Sequence, residues 1–143
     1  MVDSTSRDAG IFSAAFLSEF HDSELVTVDV LNSKQSLKLG FNTVDNKLQT
    51  FHFAGLAGFR ITNFIQQNVV SRMLMFPGHP FSTEQLNYWI NWASSVSDTD
   101  QLLTAVALKS ISERIQKSEL LLFVVEPSWG AEAAVICKSI AVQ

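Results

Sequence analysis

The stretch Leu120-Leu121-Leu122-Phe123-Val124-Val125 decides the fold. It is followed by Glu126-Pro127-Ser128-Trp129-Gly130 and then by a second β-favouring run from Ala133 to Val142. Six consecutive apolar residues have no alternation, which is typical of a strand covered on both faces, and the Pro/Ser/Gly cluster favours a turn. The pattern predicts a buried β-hairpin in the middle of a sheet, with the other elements arranged around it.

The periodicity upstream of this hairpin changes from helical to alternating. Residues 10–19 have the spacing of a short amphipathic helix. From Leu25 to Ala54 apolar and polar residues alternate, which predicts a three-stranded antiparallel meander with one solvent-facing side. In its first strand we expect Val26, Val28 and Val30 to face the core.

Residues 59–76 allow two interpretations. The polar cluster Gln66-Gln67-Asn68 fits a turn before a strand from Val69 to Phe76, but one amphipathic helix beginning at Asn63 also fits. We favour the strand, because it begins with two β-branched valines and Pro77-Gly78 supplies a stop.

Two helices are predicted before the hairpin. The sequence from Ser82 to Gln85 fits a capping box, which predicts a helix from Thr83 to about Ser94. Ser97 and Asp98 are good N-caps for a second amphipathic helix over about residues 99–117.

These elements together predict an α+β fold, because runs of strands and runs of helices are segregated along the chain. We expect a single antiparallel sheet, made of the N-terminal meander and the C-terminal hairpin. Two main helices pack on one face, and a short N-terminal helix completes the domain. Residues 1–9 are predicted to be a flexible tail and residues 10–143 a single domain. Two smaller sheets are the alternative arrangement.

Composition narrows the classes of function. The chain has 143 residues, 47% of them hydrophobic, which is enough for one domain with a sizeable core. A net charge of -4 without a run of Lys or Arg argues against nucleic-acid binding. No segment has the roughly 20 apolar residues that a membrane span requires. Acidic residues flank the apolar run Ile11 to Leu17, which is atypical of a signal peptide. We therefore expect a cytoplasmic protein without nucleic-acid or membrane partners.

The polar residues offer one weak candidate site. His21, Asp22 and Glu24 are grouped at a helix-to-strand junction, and His79 lies between two prolines. Imidazole and carboxylate groups bind cations and transfer protons. Their spacing matches no known metal motif, and such junctions also attract polar residues for local backbone bonding. We predict no catalytic residues, no metal and no cofactor.

Two nucleophile candidates fit structural roles better. Ser128 has a glycine two residues after it, at Gly130, but Glu126 stands where a nucleophile elbow requires the preceding glycine. The sequence there is also what a turn uses. Cys137 lies in an apolar strand pattern, which favours an inert buried thiol over a nucleophile paired with His21 or His79.

The tryptophans indicate a contact surface. Trp129 at a turn either folds back on the core or meets a partner, and the sequence does not decide between these. Trp89 and Trp92 are three residues apart on the first predicted long helix, beside Tyr88. If Trp89 enters the core, Trp92 is expected near the boundary. The helix edge and the Trp129 turn would then form an adhesive surface.

Four segments carry a resemblance that covers much of the chain. They are His21-Asp22-Ser23-Glu24-Leu25, Phe51-His52-Phe53-Ala54-Gly55-Leu56, Gln67-Asn68-Val69-Val70, and Glu126-Pro127-Ser128-Trp129-Gly130-Ala131-Glu132. Their order resembles that of small, uncharacterised bacterial α+β proteins, some of which are classed as immunity-type proteins. Such proteins neutralise a cognate toxin by binding it. The resemblance implies a protein partner and carries over no catalytic residue.

Two hypotheses of function follow. The preferred one is a non-enzymatic protein-binding or interaction module, immunity-like or homodimeric, because no complete catalytic constellation is present in the sequence. The alternative is a small-molecule-binding protein or enzyme with a polar site around His21, Asp22, Glu24 and His79. The predicted binding residues are these four together with Trp92 and Trp129.

Overall fold

The structure is a computed structural model that describes residues 12–98 and 102–143. Within these residues it contains three α-helices and eight strands, with a short 3-10 helix at Asn32–Lys34. The elements in chain order are α1 Ala14–Ser18, β1 Glu24–Leu31, β2 Ser36–Asn42, β3 Leu48–Ala54, β4 Gly58–Thr62, β5 Val69–Phe76, α2 Thr83–Ala93, α3 Ala105–Gln116, β6 Leu121–Trp129, β7 Glu132–Cys137 and β8 Ser139–Val142.

All eight strands form one antiparallel sheet in the order β4-β7-β6-β5-β1-β2-β3-β8. Only Lys138 separates β7 from β8, yet β7 pairs with β4 and β6 while β8 pairs with β3 at the opposite end. The sheet therefore curls until the two ends meet. There the amide of Lys138 donates to the carbonyl oxygens of Ala54, at 3.0 Å, and Gly55, at 3.1 Å. The predicted α+β fold with a single sheet is confirmed.

The C-terminal hairpin separates two apolar cores. Leu121, Phe123 and Val125 of β6 point into the core enclosed by the curled sheet. Leu122 and Val124 point to the other face, where they pack with residues of α2 and α3. Because neighbouring residues of a strand face opposite sides, two cores require the continuous apolar run. The hairpin is thus buried on both faces, as predicted. It lies second and third from one end of the sheet and not in its middle, and the predicted second strand, 133–142, is divided into β7 and β8.

The N-terminal meander is confirmed, with one correction in its first strand. A bulge between Leu25 and Thr27 inserts an extra residue into β1 and shifts the alternation. As a result Leu25 before the bulge is buried and Val28 after it is half-buried, whereas Val26 within the bulge is exposed. Val30, one residue from the end of the strand, is also exposed. The expectation that all three valines face the core was wrong.

The region between the meander and α2 contains one strand more than predicted. The predicted strand Val69–Phe76 is confirmed as β5. However, β4 was not predicted, and it pairs with β7 at the end of the sheet. Five residues with intermediate burial give too weak an alternation to identify this strand from the sequence.

The turn of the C-terminal hairpin lies later than predicted. β6 continues through Pro127 and Ser128 to Trp129, and the chain turns at Gly130, whose φ is +83°. Pro127 is tolerated in the strand because pairing with β7 ends at Val125, so no ladder bond to β7 is lost.

Both main helices cover the outer face of the sheet. The capping box is confirmed: Ser82 Oγ accepts from the amide of Gln85, and the Gln85 side chain accepts from the amide of Ser82. In contrast, α3 begins at Ala105 with Thr104 as N-cap. The prediction of Ser97 or Asp98 as its cap was wrong, because the helix begins only at Ala105, seven residues after Asp98. The Asp98 carboxylate lies instead 3.1 Å from Arg60 of β4. Part of the predicted helix, residues 99–101, lies outside the described residues.

The N-terminal helix covers one end of the enclosed core. Phe20, just after α1, packs its ring against Phe41 and Phe51 at centroid distances of 6.0 and 5.1 Å. The predicted helix 10–19 is shorter in the structure, and the predicted tail lies outside the described residues. Among the described helices, none combines the length and the hydropathy of a membrane span.

Candidate functional site

One buried side chain, that of Asn68, joins three segments at the tip of the sheet. Its Oδ1 accepts hydrogen bonds from the amides of Ile65, at 2.9 Å, and Ala131, at 3.1 Å. Its Nδ2 donates to the carbonyl oxygens of Leu25, at 3.2 Å, and Ile65, at 2.7 Å. The loop before β5, the turn after β6 and the start of β1 are therefore fixed relative to one another.

Three large apolar side chains are exposed around this junction. Trp129 has 62% of its surface exposed, Ile65 47% and Phe64 46%. An open depression of about 540 Å³ lies here. The depression is lined by Glu24, Ile65, Gln66, Gln67 and Trp129. We call these residues, together with Phe64, which precedes Ile65 in the chain, the Trp129 surface. Because Asn68 holds the backbone on both sides, these side chains are presented from a fixed base.

The strand register places Glu24 in the same row as Trp129. Trp129 pairs with Val69, and Val69 pairs with Glu24, so the three residues cross β6, β5 and β1 on one face. Gln67 donates from Nε2 to Glu24 Oε1 at 3.0 Å, which orients the carboxylate. An indole and a carboxylate thus flank a valine on the outer face of the sheet.

His21 and His79 line a different cavity, of about 270 Å³, between α1 and β5. The Nδ1–H of His21 donates to the carbonyl oxygen of Ser71 at 2.9 Å, and His79 Nδ1 accepts from the amide of Met75 at 3.0 Å. β1 pairs with β5 only at its first residue in the described chain, so this edge of β5 has no strand partner. The two imidazoles provide hydrogen-bond partners for backbone groups of β5, which is a structural role.

The polar site predicted around four residues is therefore divided in two. His21 and His79 share one cavity, and the Asp22 carboxylate lies 3.5 Å from His21 Nε2. Glu24 lies instead in the depression beside Trp129. Over the described ranges 12–98 and 102–143, no group of three or more His, Cys, Asp or Glu side chains is arranged to hold a metal ion.

Trp92 is buried, so it does not contribute to the contact surface that was expected along the edge of α2. Its ring is covered by the guanidinium of Arg60, which lies 4.5 Å from the ring centroid and 3.1 Å from Asp98 Oδ1. Arg60 belongs to the unpredicted strand β4, so this contact could not be predicted from local sequence patterns. One edge of Trp92 still lines a cavity of about 210 Å³ with the exposed Tyr88.

The two nucleophile candidates have structural positions. Ser128 Oγ donates to the carbonyl oxygen of Val69 at 3.4 Å. Cys137 is fully buried, and burial raises the pKa of its thiol to about 12. Such a thiol is almost entirely protonated at neutral pH and is a poor nucleophile.

Comparison of the sequence with models of protein families and with curated proteins gives no match, and comparison of the fold with solved structures also gives none. The resemblance to immunity-type proteins stays a prediction. The features that bear on function are the cavity of His21 and His79, the cavity of Trp92 and Tyr88, and the Trp129 surface.

Proposed function

We propose that this protein is a non-enzymatic protein-binding module and that the Trp129 surface is its contact site. The observation that carries the proposal is the exposed ring of Trp129, which lines one depression with the exposed side chain of Ile65; Phe64, next to Ile65 in the chain, is also exposed. Clustered exposed apolar side chains mark interaction sites, and tryptophan is enriched among residues that dominate binding energy.

The fixed backbone beneath this surface supports the proposal. Asn68 joins the segments that carry Ile65 and Trp129, and a Cβ at Gly130 would lie only 2.5 Å from Asn68 Oδ1. A surface that is already ordered loses little conformational entropy on association, so more of its contact energy appears as affinity.

The polar candidates also support a non-enzymatic role. His21 and His79 each use Nδ1 to bond the backbone of β5, and Cys137 is buried with a raised pKa. The resemblance to immunity-type proteins makes a toxin one candidate partner. A second copy of this chain is the other candidate partner.

The test compares the wild-type protein with Trp129→Ala and Tyr88→Ala. Tyr88 is a matched control, because it is an aromatic residue with 57% of its surface exposed on α2, away from the Trp129 surface. The measurements are retention of proteins from the native cytoplasm and size-exclusion chromatography with light scattering. We expect Trp129→Ala to abolish one specific complex that Tyr88→Ala retains. Equal retention by both variants, with a monomer in every case, would refute the proposal.

A second candidate function uses the cavity that His21 and His79 share. Two imidazoles at an apolar wall of α1 can orient a small polar ligand. Native mass spectrometry of the purified protein would detect a bound ligand. Replacing Ala14 of that wall by tryptophan should fill the cavity and eliminate the ligand's mass.

A further inference from the structure

The row formed by Trp129, Val69 and Glu24 defines a trough on the outer face of the sheet. Adjacent strands are about 4.8 Å apart, so the Cα atoms of Trp129 and Glu24 are separated by about 10 Å. Val69 is the smallest of the three side chains and lies between the other two. Trp129 and Glu24 line the same open depression, so a planar cationic group placed in it can contact the indole and the carboxylate together.

The charged side chain that lines this depression is the carboxylate of Glu24. Two further carboxylates belong to the adjacent hairpin, Glu126 of β6 and Glu132 of β7, just beyond the last pair between these strands, Val125 with Ala133. Arg72 is already engaged, because its Nε and an Nη each lie 2.6 Å from Glu126 Oε1. The remaining carboxylates favour a positively charged ligand.

The carboxyl group of Glu132 is affected by its acidic neighbours. Partial burial, together with the negative charges of Glu126 and Asp98, raises the pKa of its carboxyl group. The positive charge of Arg60 opposes this effect, which shows that a cation near these carboxylates favours their ionised form.

We propose that the protein's partner inserts an arginine side chain into this trough, where the guanidinium stacks on Trp129 and pairs with the carboxylate of Glu24. The inference deepens the proposed function and rests on it. Arginine fits better than lysine, because its planar guanidinium stacks on an aromatic face while its N–H groups bond a carboxylate. Gln67 keeps the carboxylate in position by donating to Oε1.

The first experiment uses the purified full chain and three short peptides, acetyl-Ala-Ala-X-Ala-Ala-amide, in which X is arginine, lysine or citrulline. Citrulline has nearly the shape of arginine without its charge. The readout is the NMR shift of the Trp129 indole N–H, assigned by its loss in Trp129→Phe. We expect saturable shifts with an affinity order of arginine, lysine and citrulline, and about a fivefold loss from arginine to citrulline.

Charge variants test the role of the carboxylate. Glu24→Gln keeps the side-chain shape and an acceptor for Gln67 but removes the charge, and we expect it to weaken binding of the arginine peptide about fivefold. Glu113→Gln on α3 is the control, because it removes an equal charge at a site outside the Trp129 surface. It should leave the affinity unchanged at the same ionic strength.

The outcomes separate this inference from the proposed function. If the Trp129 indole does not shift with the arginine peptide, or if citrulline shifts it equally, the inference is wrong. A native complex that depends on Trp129 but is unaffected by Glu24→Gln would also overturn it, while leaving the protein-binding function intact. If no complex depends on Trp129, the proposed function fails independently.

Discussion

Replacement of Asn68 by alanine should destabilise the protein more than any other polar substitution near the Trp129 surface. The side chain is 2% exposed and makes four hydrogen bonds to backbone groups. Alanine removes all four at once. Water cannot easily replace them, because the bonds to Leu25 and Ala131 lie in buried surroundings.

The expected loss is about 3 kcal/mol of unfolding free energy. A buried hydrogen bond contributes about 0.5–1.5 kcal/mol net, and a buried donor or acceptor left without a partner costs about 1–3 kcal/mol. The carbonyl of Leu25 and the amide of Ala131 would lose the Asn68 side chain as partner, while Ile65 in the more open loop can rebond to water. These terms are not additive, so the estimate stays below their sum.

Urea denaturation followed by circular dichroism measures this loss. Asn42→Ala is the matched control, because Asn42 donates one exposed hydrogen bond, to Asn46 Oδ1 at 3.1 Å. We expect the control to lose about 0.5 kcal/mol at most. A loss below about 1 kcal/mol for Asn68→Ala would show that Asn68 does not hold the three segments together, and the argument for a fixed Trp129 surface would fail.

The remaining predictions concern individual positions. Gly130→Ala should lower the unfolding free energy by at least about 2 kcal/mol, because φ is +83° and the new Cβ would meet Asn68 Oδ1; urea denaturation equal to wild type would contradict this. Trp129→Ala should change the same free energy by less than about 0.5 kcal/mol, since the ring is exposed. Cys137, with a pKa of about 12, should resist a thiol reagent at pH 8 until urea unfolds the chain; rapid labelling of the folded protein would refute its burial. The folded-state pKa of Glu132 is raised above its ordinary value of 4.5, so its ionisation destabilises the folded protein above that pH. Glu132→Gln should therefore raise the unfolding free energy at pH 7, and this gain should disappear toward pH 4. A difference in unfolding free energy between variant and wild type that does not change with pH would contradict this explanation.

Local patterns were sufficient to predict most of the elements. The alternation in the second and third strands of the meander, the run at the start of β6 and the capping box at Ser82 each predict the element that the structure contains. Each depends on neighbours a few residues away, so the sequence alone contains the necessary information. The sequence does not decide whether Trp129 is exposed, because a tryptophan near a turn fits both a core and a surface position.

Predictions failed where distant pairing decides the outcome. Asp98 does not cap α3, which begins seven residues later, and its carboxylate lies 3.1 Å from Arg60 of β4. The same arginine covers Trp92, which local spacing had placed near the boundary. The strand β4 itself is defined mainly by its pairing with β7, which places residues 70 to 78 positions apart opposite one another.

The sequence by itself determined that the C-terminal hairpin is buried on both faces, because an unbroken apolar run is stable only between two cores. Only the tertiary structure decided that the sheet curls and that Glu24, Val69 and Trp129 become neighbours in one row. Strand register joins residues more than 40 positions apart, and the hydrogen-bond ladder that fixes it exists only once the sheet has formed.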